Sequence, residues 1–181
     1  MSNSLQNKHV LFIIAFRDFR DQEYFIPREI LEKAGVEIKV ASDDIGLTIG
    51  ADGGDVNVNM KIEDVNVFDF DAIIFIGGPG ALKHLDNEKS YGIAKEAVAQ
   101  DKILASICIA SVILAKAGVL QGKKATVWTN PMEKIGRDIL IENGAIYQQE
   151  PVVKDGKIIT ANGPDVAEEF GKKLLQSINN Q

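Results

Sequence analysis

A single cysteine, Cys108, lies between an apolar run and a helical segment, with Ser106 two residues before it and Ala110 two residues after. A tight strand-to-helix reversal around a nucleophile needs small residues at those two places. Such a turn forces the central residue into a sparsely populated backbone conformation. It also sets sulfur at the positive end of a helix, which favours thiolate and lowers the pKa from the free thiol's value of about 8.5. The plainer reading is a small apolar core residue, because unpaired cysteine is commonly buried and inert.

Glu23 opens a helical segment after the loop that follows the first apolar run. A carboxylate there already suits the helix dipole. If it meets Cys108, the signs matter. An ionised glutamate repels a thiolate, whereas a protonated one donates a hydrogen bond to it. The pairing therefore implies a raised Glu23 pKa and a depressed Cys108 pKa, titrating together. Gly77-Gly78-Pro79-Gly80 closes another apolar run. By composition it is a turn, and it lacks the G-x-G-x-x-G spacing of a dinucleotide site. A glycine amide is nevertheless free to face an oxyanion, so the N–H groups of Gly78 and Ile109 are candidates for an oxyanion hole beside Cys108.

Trp128 and Asn130 end a later run and would line the same rim. Packing accounts for Trp128 better than recognition does, and a turn beginning at Asn130-Pro131 is a more economical reading of Asn130 than contact with a polar substrate. His9 is placed at a strand start facing solvent, and His84, a few residues past the glycine loop, is placed at the surface in preference to a catalytic role, which a hydrolase would require of it or of a histidine from a partner chain. Two histidines leave little for a zinc site, so neither metal nor cofactor is expected.

The elements that must position these residues alternate between two periods. Residues 9–16, 36–41, 71–76, 103–107 and 125–129 read as strands, the first as a continuous apolar run that needs cover on both faces. Residues 23–34, 88–100, 109–117, 131–142 and 165–178 read as helices, with Gly35, Gly118 and Asn143-Gly144 as stops. Residues 47–60 and 152–161 turn around Asp52-Gly53-Gly54 and Asp155-Gly156 as hairpins. This rhythm predicts an open, mostly parallel sheet with helices on both faces, in which ligands bind at the carboxyl ends of the strands. Residues 1–7 form a polar, fraying tail, and 8–181 a single domain.

The chain of 181 residues carries 20 basic and 26 acidic side chains, a net charge of −6. That balance argues against nucleic acid or an anionic membrane as a partner. No apolar stretch approaches the ~20 residues that span a bilayer. A lone cysteine suits a reducing, cytoplasmic setting.

Taken in order, His9 to Phe16, Arg20-Asp21-Gln22-Glu23 with Ile26-Pro27, Gly77-Gly78-Pro79-Gly80-Ala81, Ala105-Ser106-Ile107-Cys108 and Asp155 to Ala161 with Gly163-Pro164 resemble the ThiJ/PfpI (DJ-1-like) superfamily. The resemblance covers nearly the whole chain. It implies a flavodoxin-like three-layer sandwich, also described as class I glutamine amidotransferase-like. A nucleophile elbow would fall on Cys108, its glutamate partner on Glu23 and an oxyanion amide on Gly78. It also implies a homodimer.

The activities it implies are cofactor-free glyoxalase (glyoxalase III type) or deglycase action on reactive carbonyls, amidohydrolase or peptidase action, chaperone action and oxidation sensing. This chain departs from the pattern twice. The protease-like branch carries histidine where Ile109 stands, and the DJ-1 branch carries histidine where Asn130 stands. The expected function is therefore a stress-protective enzyme for small carbonyl substrates such as methylglyoxal, with Cys108 as nucleophile and Glu23 as proton shuttle. The alternatives are a non-catalytic redox sensor or chaperone acting through oxidation of Cys108, and a cysteine peptidase or amidohydrolase.

Overall fold

Runs as apolar as the first one are stable only with a helix layer on either side, and the computed structural model, which describes residues 5–181, supplies both layers. The first half contains β1 (His9–Ile13), α1 (Asp21–Lys33), β2 (Glu37–Ser42), β3 (Gly46–Ile49), β4 (Asp55–Val58), β5 (Met60–Lys61), β6 (Ala72–Phe75) and α2 (Ala81–Leu85). The second contains α3 (Glu88–Ala99), β7 (Ile103–Ile107), α4 (Ser111–Lys116), β8 (Lys124–Ala125), α5 (Ile135–Glu142), β9 (Ile146–Tyr147), β10 (Val152–Asp155), β11 (Ile158–Ala161) and α6 (Ala167–Asn179).

Seven strands form the central sheet in the order β10-β11-β7-β6-β1-β2-β5. Every pair is parallel except the β10–β11 hairpin. Alternation along each strand divides the core. Leu11, Ile13, Ile73, Phe75 and Leu104 face one way and pack with Ile93, Val112, Leu114 and Leu140 of α3, α4 and α5. Val10, Phe12, Ile14, Ile74 and Ile107 face the other and pack with Tyr24, Leu31, Phe170 and Leu174 of α1 and α6. Phe12 meets Tyr24 edge-on, with centroids 5.6 Å apart at 89°, and each buried side chain of this size contributes about 1.5–3 kcal/mol.

Both expected hairpins form, β3 with β4 and β10 with β11. The differences lie at element ends. The strand expected over 125–129 is cut to β8, which pairs with β9 in a separate two-stranded ribbon. Beyond it the Thr126 amide donates to Thr160 Oγ1 (2.9 Å) and the Trp128 amide to the Cys108 carbonyl (3.4 Å), so no ladder continues. The helix expected from Pro131 begins at Ile135, because Asn130 folds residues 130–133 into a turn. The helix expected from Ile109 is first a 3-10 turn over Cys108–Ala110, and the α-helix starts at Ser111. Within the expected tail Leu5 is buried with the α1–α6 side of the core and Gln6 and Asn7 are exposed, and residues 1–4 fall outside the described residues. Among the described residues no helix is long and apolar enough to cross a membrane.

The chain leaves β1 toward β2 on one side and resumes at β6 on the other. Strand order reverses there, and a crevice opens above the carboxyl ends, the position where ligands bind in such sheets.

Candidate active site

Cys108 follows β7 directly and has φ +61°, a left-handed conformation uncommon for a side chain with a β-carbon. This is the strained elbow that the small-x-Cys-x-small pattern implies. Ser106 fits because its hydroxyl is satisfied across the turn by Ser111, Oγ to Oγ 2.8 Å, with both side chains buried. The backbone N–H groups of Ile109 and Gly78 hydrogen-bond toward the sulfur. The two amides chosen from sequence are thus brought to one atom.

Glu23 lies in the first turn of α1 and is fully buried. Its Oε2 accepts from the Gly77 amide at 3.0 Å. Its Oε1 is buried without a well-formed partner, while the Cys108 thiol is near enough to act on the carboxyl as a hydrogen-bonding neighbour. Burial raises the Glu23 pKa from the ordinary 4.5 to about 7, against opposing effects of Cys108, the Gly77 amide and the Arg20 charge. The expected rise at Glu23 is present.

The expected fall at Cys108 is not. Burial, and then the adjacent Glu23 carboxyl, push the thiol well above its ordinary range, and the amides of Ile109 and Gly78 offset only part of this. The pair resists carrying two negative charges, and above pH 7 the carboxyl, not the thiol, is the group that has lost its proton.

A cavity of about 300 Å³ opens onto the sulfur. It is lined by Arg20, Gly78, Pro79, Leu82, Cys108, Ile109, Trp128 and Pro164. Trp128 is therefore at the rim as expected. Asn130 is not among the lining residues. Its Oδ1 accepts from the amides of Met132 and Glu133, both at 2.8 Å, so the turn reading of Asn130-Pro131 replaces the substrate-contact reading. His84 is paired with Asp43 (2.6 Å) and His9 with Glu37 (3.3 Å). Neither lines the cavity. No group of three or more His, Cys, Asp or Glu able to hold a metal occurs among the described residues.

The sequence reading did not single out Arg20, Pro79, Leu82 or Pro164 as cavity residues. Arg20 and Pro79 carried a usable signal, since both follow strands at the carboxyl edge. Leu82 on α2 and Pro164 before α6 arrive only through tertiary folding.

A doubly wound parallel sheet with a cysteine elbow beside its switch point defines a flavodoxin-like protein with a nucleophile-elbow site. Within that class, residues 8–177 match the DJ-1/PfpI family, and the chain belongs to it. An uncharacterized protein of Methanocaldococcus jannaschii is 41% identical over 176 residues, which cover 97% of this chain and 84% of that one. The deglycase PfpI of Pyrococcus furiosus is 34% identical over 156 residues, 86% of this chain and 90% of that one. The crystal structure of a ThiJ/PfpI domain protein from Brachyspira murdochii superposes with a TM-score of 0.90 at 31% identity, covering 96% of this chain and 97% of that one.

Proposed function

We propose that this protein is a cofactor-independent, cysteine-dependent enzyme acting on reactive carbonyls, of glyoxalase or deglycase type, with methylglyoxal or its adducts as substrate. The observation that carries the reading is Cys108 in the wall of a cavity large enough for a small aldehyde, with the Glu23 carboxyl buried behind the sulfur. Similarity to archaeal proteins named deglycases supports it.

With methylglyoxal, sulfur attacks the aldehyde carbon and the thiol proton passes to the Glu23 carboxylate. The amides of Gly78 and Ile109 hold the alkoxide until Glu23 returns that proton, giving a hemithioacetal. The regenerated carboxylate then takes the proton from the former aldehyde carbon. Electrons shift onto the neighbouring ketone oxygen to give an enediolate; Glu23 returns its proton to the ketone carbon while the hydroxyl proton on the former aldehyde oxygen passes to the ketone oxygen. The product is a lactate thioester on Cys108. Water cleaves the thioester, releasing lactate and restoring the thiol. No histidine is required, because no amine is expelled.

Redox sensing by oxidation of Cys108 is a weaker reading, since a buried thiol that holds its proton reacts slowly with peroxide. Peptidase action lacks a histidine lining the cavity. The proposal extends to a homodimer, which light scattering tests. The functional test is lactate formation from methylglyoxal by the wild type and Cys108→Ala. Activity abolished by the substitution supports the reading. Equal rates in the two proteins, or no activity in either, refutes it.

A further inference from the structure

Among the residues lining the cavity, Arg20 alone carries a charged side chain. It stands in a chain whose net charge is −6, so a cation lining the nucleophile's cavity is not an accident of a basic surface. Arg20 is held firmly at its backbone, where its N–H donates to the Gly77 carbonyl at 3.0 Å immediately before α1 begins. Its charge is felt by the Glu23 carboxyl, whose pKa it lowers. The head group is held loosely. One nitrogen, Nη1, donates to both oxygens of Asp52, at 3.1 and 3.2 Å, in a solvent-exposed pair. A guanidinium has five N–H donors in a planar fork, and a pair exposed in this way is weak and exchangeable.

Asp52 is itself positioned. It sits at the tip of the β3–β4 hairpin, which Asp21 ties to α1 by accepting from the amides of Asp52 (2.8 Å) and Gly54 (2.5 Å). The arrangement is a cation lining the cavity that opens onto the nucleophile, with a removable internal counter-ion.

We propose that Arg20 recognises a carboxylate on the substrate and that Asp52 competes for it, so that the preferred carbonyls are small anionic ones, with a carboxylate one or two carbons from the reacting C=O. This rests on the carbonyl reading and ranks anionic carbonyls above neutral ones such as methylglyoxal, which remains a substrate. The fork presents two parallel donors to a carboxylate, which fixes orientation as well as charge. The remaining lining residues, Pro79, Leu82, Ile109, Trp128 and Pro164, offer an apolar wall for a short carbon chain.

The test compares alkylation of Cys108 by iodoacetate and by iodoacetamide. The two reagents share a leaving group and nearly a size, and differ in charge. The ratio of their rate constants cancels the reactivity of the thiol itself, and turnover is not needed. With Arg20 engaged, the wild-type ratio exceeds that of free cysteine by about tenfold, the effect of ~1.4 kcal/mol of charge attraction.

Arg20→Gln drops the ratio below that of free cysteine, because Glu23 and Asp52 then repel the anion unopposed. Arg20→Lys restores most of it, and Asp52→Asn raises it above wild type. A wild-type ratio at or below that of free cysteine, a ratio unchanged in Arg20→Gln, or failure of both reagents to modify Cys108 overturns the proposal. Absence of methylglyoxal turnover in the same preparation refutes the carbonyl reading and leaves the ratio to decide the role of Arg20.

Discussion

Glu23 reaches Cys108 across Gly77. A β-carbon built on Gly77 would lie 2.6 Å from Cys108 Cβ and 2.7 Å from Glu23 Oε2, so the missing side chain is the space in which acid and thiol meet. The Gly77 amide also donates to that same oxygen. One backbone position thus makes room for the pair and holds one of its members.

Gly77→Ala therefore has a specific consequence. The added methyl forces Cys108 or Glu23 aside, and overpacking of this kind costs about 1–3 kcal/mol. The expected result is a folded protein with a lowered melting temperature, little carbonyl activity and a Glu23 that no longer influences the thiol. Thermal melts and lactate assays on the one variant check all of this. Full activity in Gly77→Ala would contradict the close approach.

The raised Glu23 pKa makes a prediction about stability. Its ordinary value is 4.5 and its value in the fold is about 7, so between those limits the folded state holds a proton that the unfolded chain has released. Stability from this group is complete below pH 4.5 and is lost as pH rises through 7. The loss is about 3 kcal/mol at 1.36 kcal/mol per unit. Glu23→Gln removes the ionisable group. Its advantage in melting temperature over wild type should grow from acid pH to a plateau of several degrees above pH 7. Parallel denaturation series at acid and alkaline pH measure it, and a gap independent of pH would show that Glu23 titrates normally.

The thiol responds in the opposite sense to what the sequence implies. Burial and the Glu23 carboxyl raise it, so thiolate absorbance should emerge only above the ordinary cysteine range. Glu23→Gln deletes the repelling charge and should bring the thiol's titration midpoint down while leaving the burial contribution in place. Ultraviolet titration of the two proteins tests this. A wild-type thiolate already formed at neutral pH would restore the original expectation of an ionised sulfur.

The asymmetry between what was and was not legible follows from what each signal depends on. The elbow at Cys108 is written locally, in Ser106 and Ala110, and the structure shows its left-handed φ. The parallel sheet is likewise carried by short apolar runs of fixed period. The meeting of Glu23 with Cys108 has no local sign; the position of Glu23 after the first strand admits it only as a condition, and the family resemblance supplies the pairing. The direction of the thiol shift depends on depth of burial and on a carboxyl brought from the first turn of α1, which no spacing encodes. Residues 125–129 look like a strand, yet Thr126 turns its amide to Thr160 and the ladder stops. Helix α2 has only five residues, too few to show a helical period.

Asn130 supplies a negative control. Its side chain serves the turn before α5 by accepting from Met132 and Glu133. Asn130→Ala should cost about 0.5–1.5 kcal/mol for each bond lost and leave kcat/KM for carbonyl substrates nearly unchanged. A large fall in kcat/KM without loss of stability would place Asn130 in contact with substrate after all.

The proposed chemistry has Glu23 move the protons for Cys108. It is tested by kcat/KM for methylglyoxal, from about pH 5 to about pH 9, for wild type and Glu23→Gln. The wild-type rate should rise through about pH 7 as the Glu23 carboxylate forms, and the variant should lack that rise and be slower by about 100-fold or more. A Glu23→Gln profile that overlays the wild type in height and shape would contradict it.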